Sequence, residues 1–453
     1  MRARGDLMHP APPPDLRQTM EMMETRRVID VLDSVAQFSS PSDPYMPWDK
    51  LRHKKAPGDL TAEEWWLGVK FARRSMRRPL PFTTIGDEHF TYALPDEVLR
   101  LSDEITKRAS GQIAAPEQIT NSSTKNRYVI SSLIEESITS SQLEGASTSR
   151  QVAKDMIRSG RAPRNRSEKM IVNNYNAMLF VSDHKDEDFT PELICELHRI
   201  VTDGTLDDPE SAGRIQSNPD PDDRVRVYGR DDDVLHLPPP VDQLSARMRT
   251  LCVFANEANG GSEYIPPVVR ALAIHFMVGY DHYFEDGNGR TARALFYWSM
   301  LKQGYWLTEY VTISRLLKKA PAQYVRSFVL TEQDEGDLTY FLIYHLNILR
   351  RALDDLATYL TRKTAELQET RQLLSKRGQF NHRQLALIES AIKNSSNEYT
   401  VQSHMQSHKI SDQTARNDLT DLERRGLLDR SKAGRTFVWS PAANFEKTLT
   451  TAD

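Results

Sequence analysis

Apolar residues recur at three- and four-residue intervals along most of the chain, which is the period of an amphipathic helix. Residues 126–144 are one example, and Gly145 follows them at the position where helices commonly end. Two strongly apolar runs, residues 267–280 and 290–301, flank a short polar turn. The pattern therefore predicts a mainly α fold, almost continuously helical from Pro79 onward.

Two stretches depart from this helical pattern. Residues 220–240 place short apolar runs on both sides of a polar turn at 229–233, as in a β-hairpin. After residue 379, three short helices precede two short strands around 432–435. This order of elements resembles a winged helix, with residues 411–425 as its recognition helix. The outward face of that helix would carry Gln413, Arg416, Asn417 and Thr420.

Composition narrows the class of protein. The 453 residues include 59 Lys and Arg against 63 Asp and Glu, so the net charge of −4 gives no overall attraction to nucleic acid. Cys195 and Cys252 lie in apolar helical patterns, which argues against disulfides and a cysteine metal cluster. No apolar run reaches the roughly 20 residues that span a bilayer, and the N-terminus lacks the hydrophobic region of a secretory signal. We expect a soluble, cytosolic protein without a membrane partner.

The polar turn between the two apolar runs concentrates groups that bind phosphate. It reads DHYFEDGNGRTAR over residues 281–293. Gly287 and Gly289 permit a turn that leaves backbone N–H groups unpaired at the start of the next helix, where they bind anions. Arg290 and Arg293 lie three residues apart, so both can face that helix end and donate to phosphate oxygens. The turn therefore predicts a polyphosphate ligand.

Two neighbours of this turn add chemistry to it. Asp286 is placed to hold a Mg²⁺ ion that retains most of its waters and bridges the phosphates. His282 closes the first apolar run, and its unperturbed pKa near neutrality suits a general base. A helix–turn–helix corner with glycines for packing is the plainer alternative, but it does not explain why all these groups converge.

The same residues resemble a known family. The Fic pattern HxFx(D/E)GNGRxxR is matched at every defined position, by His282, Phe284, Asp286, Gly287, Asn288, Gly289, Arg290 and Arg293. The resemblance implies an all-helical core that transfers AMP from ATP to a protein hydroxyl, with His282 as the base and Asp286 on Mg²⁺. It assigns the α- and β-phosphates to Gly287, Asn288 and Gly289, and the β- and γ-phosphates to Arg290 and Arg293. The hairpin at 220–240 stands where the family has a flap that holds the target segment.

A second pattern precedes this core. The segment SSQLEG at residues 140–145 matches the family's inhibitory pattern (S/T)xxxE(G/N) through Ser140, Glu144 and Gly145. The resemblance implies that Glu144 pairs with Arg293 and blocks productive seating of the γ-phosphate. A carboxylate in this place would occupy the guanidinium fork that a phosphate needs. A solvated surface glutamate is the alternative.

The predicted organisation has five parts. They are a disordered N-terminus at 1–20, a helical extension at 21–78, a Fic domain at 79–352 that includes the inhibitory helix at about 126–145, a connecting helix at 353–376, and a winged-helix domain at 377–453. From Lys376 to the end there are 12 basic and 9 acidic residues, a net charge of +3. Three acids, Asp418, Asp421 and Glu423, lie on the recognition helix, so DNA binding and protein docking both stay open.

The main functional hypothesis is an autoinhibited protein adenylyltransferase that uses ATP and Mg²⁺. Its substrate would be a Ser, Thr or Tyr hydroxyl of a target protein or of the chain itself. One alternative is removal of AMP at the same site, with Glu144 positioning a water. Another is a nucleotide-sensing transcriptional regulator whose winged helix binds DNA. A second copy of the chain, in a homodimer, is a further candidate partner.

Overall fold

The structure is a computed structural model that describes residues 10–38, 44–111, 122–218, 220, 225–228, 234–257, 264–376, 380–393, 397–433, 436–445 and 448. Its elements are mostly α-helices, with three two-stranded antiparallel sheets, so the predicted mainly α class is confirmed. By contacts, the chain divides into two compact units, Met1–Ala114 with Ile130–Asp355 and Ala115–Val129 with Leu356–Asp453. None of the described helices combines the length and the apolar character that a membrane crossing requires.

The N-terminal helices form a small apolar cluster of their own. They are α1 (Leu16–Glu21), α2 (Thr25–Phe38), α3 (Trp48–Leu51) and α4 (Ala62–Arg74). Thr61 and Glu64 start α4 with a reciprocal capping box. Val31, Trp48 and Trp66 are buried together between these helices.

The structure places a helix in the segment 1–20 that the sequence predicts to be disordered. Asp15 accepts hydrogen bonds from two backbone N–H groups and caps α1. The Ala11 N–H donates to Asp49 at 3.0 Å, which ties the proline-rich segment to α3. Residues 1–9 lie outside the described residues.

The larger unit is a helical core built around two almost wholly buried helices. The elements from residue 78 to residue 376 are β1 (Arg78–Thr83), β2 (His89–Tyr92), α5 (Asp96–Ala109), α6 (Ser122–Leu143), α7 (Arg150–Ser159), α8 (Arg166–Asp183), α9 (Pro191–Thr202), β3 (Val227–Tyr228), β4 (Val234–His236), α10 (Val241–Asn256), α11 (Pro267–Asp281), α12 (Asn288–Lys302), α13 (Ile313–Lys319), α14 (Pro321–Gln333) and α15 (Thr339–Lys376). The first eight residues of α6 and the part of α15 after Asp355 belong to the smaller unit. Helices α11 and α12 are the two apolar runs, and helices that are hydrophobic on all sides become central. The polar turn between them is therefore held by packed neighbours on both sides.

Two hairpins flank this core. Strands β3 and β4 pair antiparallel, which confirms the hairpin predicted within 220–240, although its turn at 229–233 lies outside the described residues. Strands β1 and β2 also pair antiparallel, so the helix predicted from Pro79 is wrong at this point. Pro79 belongs to the six-residue strand β1 of a two-stranded sheet, where the ladder does not require every N–H.

The C-terminal elements have the predicted order of three helices and a two-stranded wing. They are α16 (His382–Lys393), α17 (Val401–His408), α18 (Asp412–Arg424), β5 (Leu428–Ala433) and β6 (Thr436–Pro441). Ser411 caps α18, and Gly426 follows it with φ +69°. Leu419 and Leu422 of α18 pack against Trp439 of the wing in one apolar cluster. The recognition helix of the predicted winged helix is therefore α18.

Candidate active site

The polar turn between α11 and α12 is a tight loop whose two ends adopt left-handed backbone geometry. His282 has φ 49° and ψ 54°, a region that few residues other than glycine enter. Gly287 has φ 83°, and a Cβ there would stand 2.7 Å from Thr202 Cγ2 of α9. A glycine is therefore required at this position for both conformation and space.

Asn288 closes the loop through its side chain. Its Oδ1 accepts from the Phe284 N–H at 3.0 Å, and its Nδ2 donates to the Phe284 carbonyl at 2.6 Å. Both ends of the amide are thus engaged within the protein. Asn288 is the first residue of α12, so its backbone N–H lies among the unpaired donors of that helix end. A phosphate contact from Asn288 would come from this backbone group.

His282 has a defined tautomer. Its Nδ1 lies 3.3 Å from the Gly279 carbonyl, which can only accept, so Nδ1 carries the proton and Nε2 keeps its lone pair. Burial lowers the pKa of His282 to about 4, so the ring is neutral at pH 7. Gln216 fixes its backbone, because its Nε2 donates to the His282 carbonyl at 2.6 Å. The ring can therefore accept a proton through Nε2.

Arg290 supplies buried donors that have no acceptor. Its Nη1 donates to the Val201 carbonyl at 3.1 Å. In the part of the chain that the structure describes, its Nε and Nη2 make no hydrogen bond, and the Asp286 carboxylate is 3.7 Å from Nη2. Burial lowers the pKa of Arg290, which indicates that the site lacks a full counter-charge. A bound anion would satisfy these donors.

Asp286 suits a metal that is shared with phosphate. Its Oδ1 accepts from the Gly287 N–H at 2.5 Å, and its side chain is 50% exposed. Arg166 of α8 lies 3.9 Å from Oδ2. The described residues contain no cluster of three or more His, Cys, Asp or Glu side chains that could bind a metal ion by themselves. One exposed carboxylate fits Mg²⁺, which binds through one or two carboxylates, waters and phosphate oxygens.

Arg293 and Glu144 are in contact, as the inhibitory pattern predicts. Arg293 Nη2 donates to Glu144 Oε1 at 2.8 Å, and Nε donates to Ser140 Oγ at 2.9 Å. Gly289 allows this approach, since a Cβ there would collide with Glu144 Oε1. Gly145 follows α6 with φ +94°, which confirms that the helix stops there. Glu144 is thus paired with Arg293, although its side chain remains partly exposed to solvent.

Glu136 anchors the same helix and was not singled out by the sequence analysis. It is fully buried in α6, and its carboxylate accepts from the Ser314 hydroxyl and, at 3.2 Å, from the Ser314 N–H. Burial raises the pKa of Glu136 against the opposing effects of Ser314 and Arg293. Residues 136, 140 and 144 are four apart, so helical spacing could have placed all three polar groups on one face.

His198 of α9 holds the backbone of the loop at Asp286. Its Nδ1 accepts from the Gly213 N–H at 2.9 Å, so Nε2 carries the proton and donates to the Asp286 carbonyl at 2.8 Å. The ring stacks on Phe284 with centroids 3.7 Å apart. Burial lowers the pKa of His198 to about 4, which keeps this arrangement neutral.

The four residues proposed to face DNA are all exposed on α18. They are Gln413, Arg416, Asn417 and Thr420. Two of the three acidic residues that argue against DNA binding make contacts within the domain. Asp418 is buried and pairs with Arg383 at 2.7 Å, while Glu423 accepts from the Trp439 indole at 2.8 Å.

Comparisons with known proteins agree with both resemblances. Residues 188–300 match the Fic/DOC family, a span that contains the loop but not Glu144. Residues 385–440 match the DeoR-like helix-turn-helix domain. The match to the second family covers α18 and most of the wing.

Curated relatives are similar over part of their length. A protein adenylyltransferase Fic from Nematostella vectensis is 31% identical over 121 residues, which is 27% of this chain and 25% of that protein. One from Drosophila melanogaster is 30% identical over 167 residues, 37% of this chain and 29% of that protein. The chain thus spans less than a third of these relatives. A crystal structure of a Fic family protein from Desulfovibrio desulfuricans aligns with a TM-score of 0.47 at 19% identity, covering 77% of this chain and 96% of that one.

Proposed function

We propose that this Fic/DOC family protein is an autoinhibited protein adenylyltransferase. It transfers AMP from ATP to a Ser, Thr or Tyr hydroxyl of a target protein, and Glu144 restrains the transfer. The observation that carries this proposal is the state of His282, whose Nε2 keeps a free lone pair in the loop that also presents the unpaired donors of Arg290. A base and an anion site in one short loop suit phosphoryl chemistry more than packing.

The reaction balances with the groups present. The target hydroxyl gives its proton to His282 Nε2, and its oxygen forms a bond to the α-phosphorus of ATP. The bond between that phosphorus and the bridging oxygen of the β-phosphate breaks, and pyrophosphate leaves in line with the attack. Arg290 and the backbone N–H groups at the start of α12 hold the phosphate oxygens. Catalysis then rests on positioning and on fixed positive charge.

Asp286 is the residue that would hold Mg²⁺ in this site. The ion, when bound, neutralises phosphate charge and orients the leaving pyrophosphate. Arg166 and Arg290 lie 3.9 and 3.7 Å from Asp286 Oδ2, so both guanidinium groups are close enough to donate to phosphate oxygens bound beside that carboxylate.

Inhibition follows from competition for Arg293. Its Nη2 is engaged by Glu144, and its Nε by the Ser140 hydroxyl. A γ-phosphate that binds the same guanidinium group must displace the Glu144 carboxylate or bind in another position. Seating elsewhere turns the α-phosphorus away from in-line attack, so the bound nucleotide is unproductive. Ser140 contributes to this inhibition by orienting Arg293, and Gly145 contributes by ending α6 next to Glu144.

Labelled ATP tests the proposal. Full-length protein is incubated with Mg²⁺ and ATP labelled at either the α- or the γ-phosphate, with a cell extract as the source of targets. We expect the Glu144→Gly variant to transfer the α label more strongly than the unmodified chain, and the γ label not at all. Adding His282→Ala to Glu144→Gly should abolish transfer.

His184→Ala in the Glu144→Gly background is the matched control, since His184 is a half-buried histidine away from the loop. It should leave transfer intact. Transfer of the γ label, or equal α labelling with and without His282, would refute the assignment.

We propose DNA binding by α18 as a second function. The observation that favours it is that the outward face of α18 is exposed while Asp418 and Glu423 are engaged within the domain. A gel-shift assay with random-sequence duplex DNA tests it. Arg416→Ala should weaken binding and reduce its salt dependence, and Lys107→Ala, the loss of an exposed cation from the larger unit, should not. No retardation by the unmodified chain would favour protein docking instead.

A further inference from the structure

A buried histidine joins the hairpin to the end of α11. His236 is the last residue of β4 and is 8% exposed. Its Nδ1 lies 2.7 Å from Glu332 Oε2 of α14, and its Nε2 lies 2.6 Å from the Tyr280 carbonyl of α11. The carbonyl only accepts, and so does an ionised carboxylate. A neutral imidazole has one N–H, so the charged, doubly protonated ring satisfies both contacts.

Strands β3 and β4 are short. Among the described residues of the hairpin, they pair at two positions, Val227 with His236 and Tyr228 with Val234. A two-stranded hairpin alone is marginally stable in water. Val234 and Leu237 are about half exposed, and Leu235 is partly buried, so the apolar side chains of β4 itself bury little surface, whereas Pro238 and Pro239 after the strand are buried. Of the residues of β4, only His236 is buried.

We propose that His236 and Glu332 form a protonation-dependent latch, which holds β4 against the residues that precede His282 and releases the hairpin as the pH rises. With the latch closed, the edge of β4 has a fixed position relative to His282 and can receive an extended segment of a target. This link to target binding rests on the proposed function, whereas the latch itself does not. His236 is thereby a positioning residue and does not touch the reacting atoms.

The surroundings of His236 support the direction of this switch. The titratable and charged groups that face it are Glu332 of α14, Tyr280, Asp281 and His282 at the end of α11, and Arg247 of α10. Burial lowers the pKa of His236, but the hydrogen bond and the charge of Glu332 outweigh burial and raise it overall. Arg247 is already paired with the buried Asp281 at 2.7 Å.

The sign of the effect follows from linkage. A histidine whose pKa is raised on folding stabilises the folded state below its unfolded pKa, and that contribution is lost as the pH rises through the folded pKa. His282 stays neutral over the pH range in which His236 loses its proton, because burial lowers the pKa of His282 to about 4. Asp281 has a pKa raised by burial, with Arg247 acting in the opposite direction. The latch is therefore closed when the pH is below the folded pKa of His236, and it opens when the pH rises above that pKa.

Hydrogen exchange of the hairpin tests the latch without any nucleotide. Exchange of residues 234–237 is followed by mass spectrometry and corrected for the intrinsic effect of pH. In the unmodified chain, we expect protection to fall about tenfold as the pH rises above about 6.5, the unperturbed pKa of histidine, because one charge-assisted hydrogen bond is lost. Glu332→Gln keeps the shape of the pair without its charge, so the loss should occur at lower pH. His236→Phe should leave the hairpin unprotected throughout.

The matched control is another histidine–glutamate pair on the same unit. His184 Nε2 and Glu187 Oε1 lie 4.0 Å apart near the surface, and His184→Phe should leave the exchange profile of the hairpin unchanged. Protection of the hairpin that does not vary with pH would overturn the latch. So would a Glu332→Gln profile identical to that of the unmodified chain.

Transfer assays separate the latch from the proposed function. In the Glu144→Gly background, His236→Phe should lower the rate of α-label transfer without changing the KM for ATP. A raised KM for ATP would overturn the positioning role, because it would place His236 at the nucleotide. If no variant transfers label while the exchange result holds, the latch stands and the proposed function fails.

Discussion

Replacing Glu144 by glutamine should strengthen ATP binding by about one order of magnitude. The variant keeps the size of the side chain and one oxygen but removes the charge that engages Arg293 at 2.8 Å. A hydrogen bond to a charged group contributes about 1.5–3 kcal/mol. Glu144 is 31% exposed, so solvent weakens the pair and the lower end of that range applies. About 1.4 kcal/mol corresponds to a tenfold change in Kd.

Titration calorimetry with ATP and Mg²⁺ measures this change directly. Glu135→Gln is the matched control, because Glu135 lies on the same helix but pairs with Arg150 and Lys154 at 2.8 and 3.2 Å. It should bind ATP with the affinity of the unmodified chain. Without nucleotide, Glu144→Gln should unfold at a lower temperature, since the buried Arg293, 1% exposed, loses its charged partner. ATP should then raise that temperature more than it does for the unmodified chain.

The reasoning is refuted if Glu144→Gln folds normally and binds ATP with an unchanged Kd. In that case the carboxylate does not compete with a phosphate for Arg293. An equal gain in Glu135→Gln would also refute it, because the effect would then come from removal of any negative charge from α6. A tenfold gain confined to Glu144→Gln would support the competition.

Three further predictions concern the loop and its support. Gly287→Ala should destabilise the fold by roughly 2 kcal/mol or more in thermal unfolding, because the added Cβ meets Thr202. Gly58 also has a positive φ but has open space around it, so Gly58→Ala should destabilise the fold by about 1 kcal/mol. His198→Phe keeps the ring but loses two hydrogen bonds to backbone, so urea unfolding should show a loss of roughly 2–3 kcal/mol, and an unchanged midpoint would contradict the support role. Burial lowers the pKa of His198 to about 4 and of His345 to about 3. The contribution of these two histidines to stability should therefore be full above about pH 6.5 and fall toward pH 4, and the fall should be shallower in His198→Phe.

Local sequence was enough to predict the loop but not its contacts. Glycines at 287 and 289 and the asparagine between them encode the turn within a few residues, so their geometry follows from their types. The contact of Arg293 with Glu144 joins positions 149 apart in sequence, and only the resemblance indicated it. The spacing of 136, 140 and 144 gives the shared helix face but no information on what that face meets.

The errors have physical causes of the same kind. Strand β1 interrupts the helical pattern predicted from Pro79, because its backbone pairs with β2, and the pattern of apolar residues does not encode that pairing. On α18, Asp418 shares the buried face with Ala415, Leu419 and Leu422, so helical spacing alone predicts that Asp418 faces the interior of the domain. Its partner Arg383 lies in another helix and could not be identified from the pattern.

The loop also shows why a matching motif is not sufficient for an active site. Three side chains from outside the motif each donate to a backbone carbonyl between residues 280 and 286: His236 to Tyr280, Gln216 to His282, and His198 to Asp286. The motif supplies the groups that carry the proposed transfer, whereas these donors fix the directions in which those groups point. Any donor of suitable length can bond to a carbonyl, so such residues leave no recognisable pattern in a sequence. A chain with every motif residue intact would therefore be expected to lose activity when these donors are lost, in proportion to how far His282 and Asp286 turn.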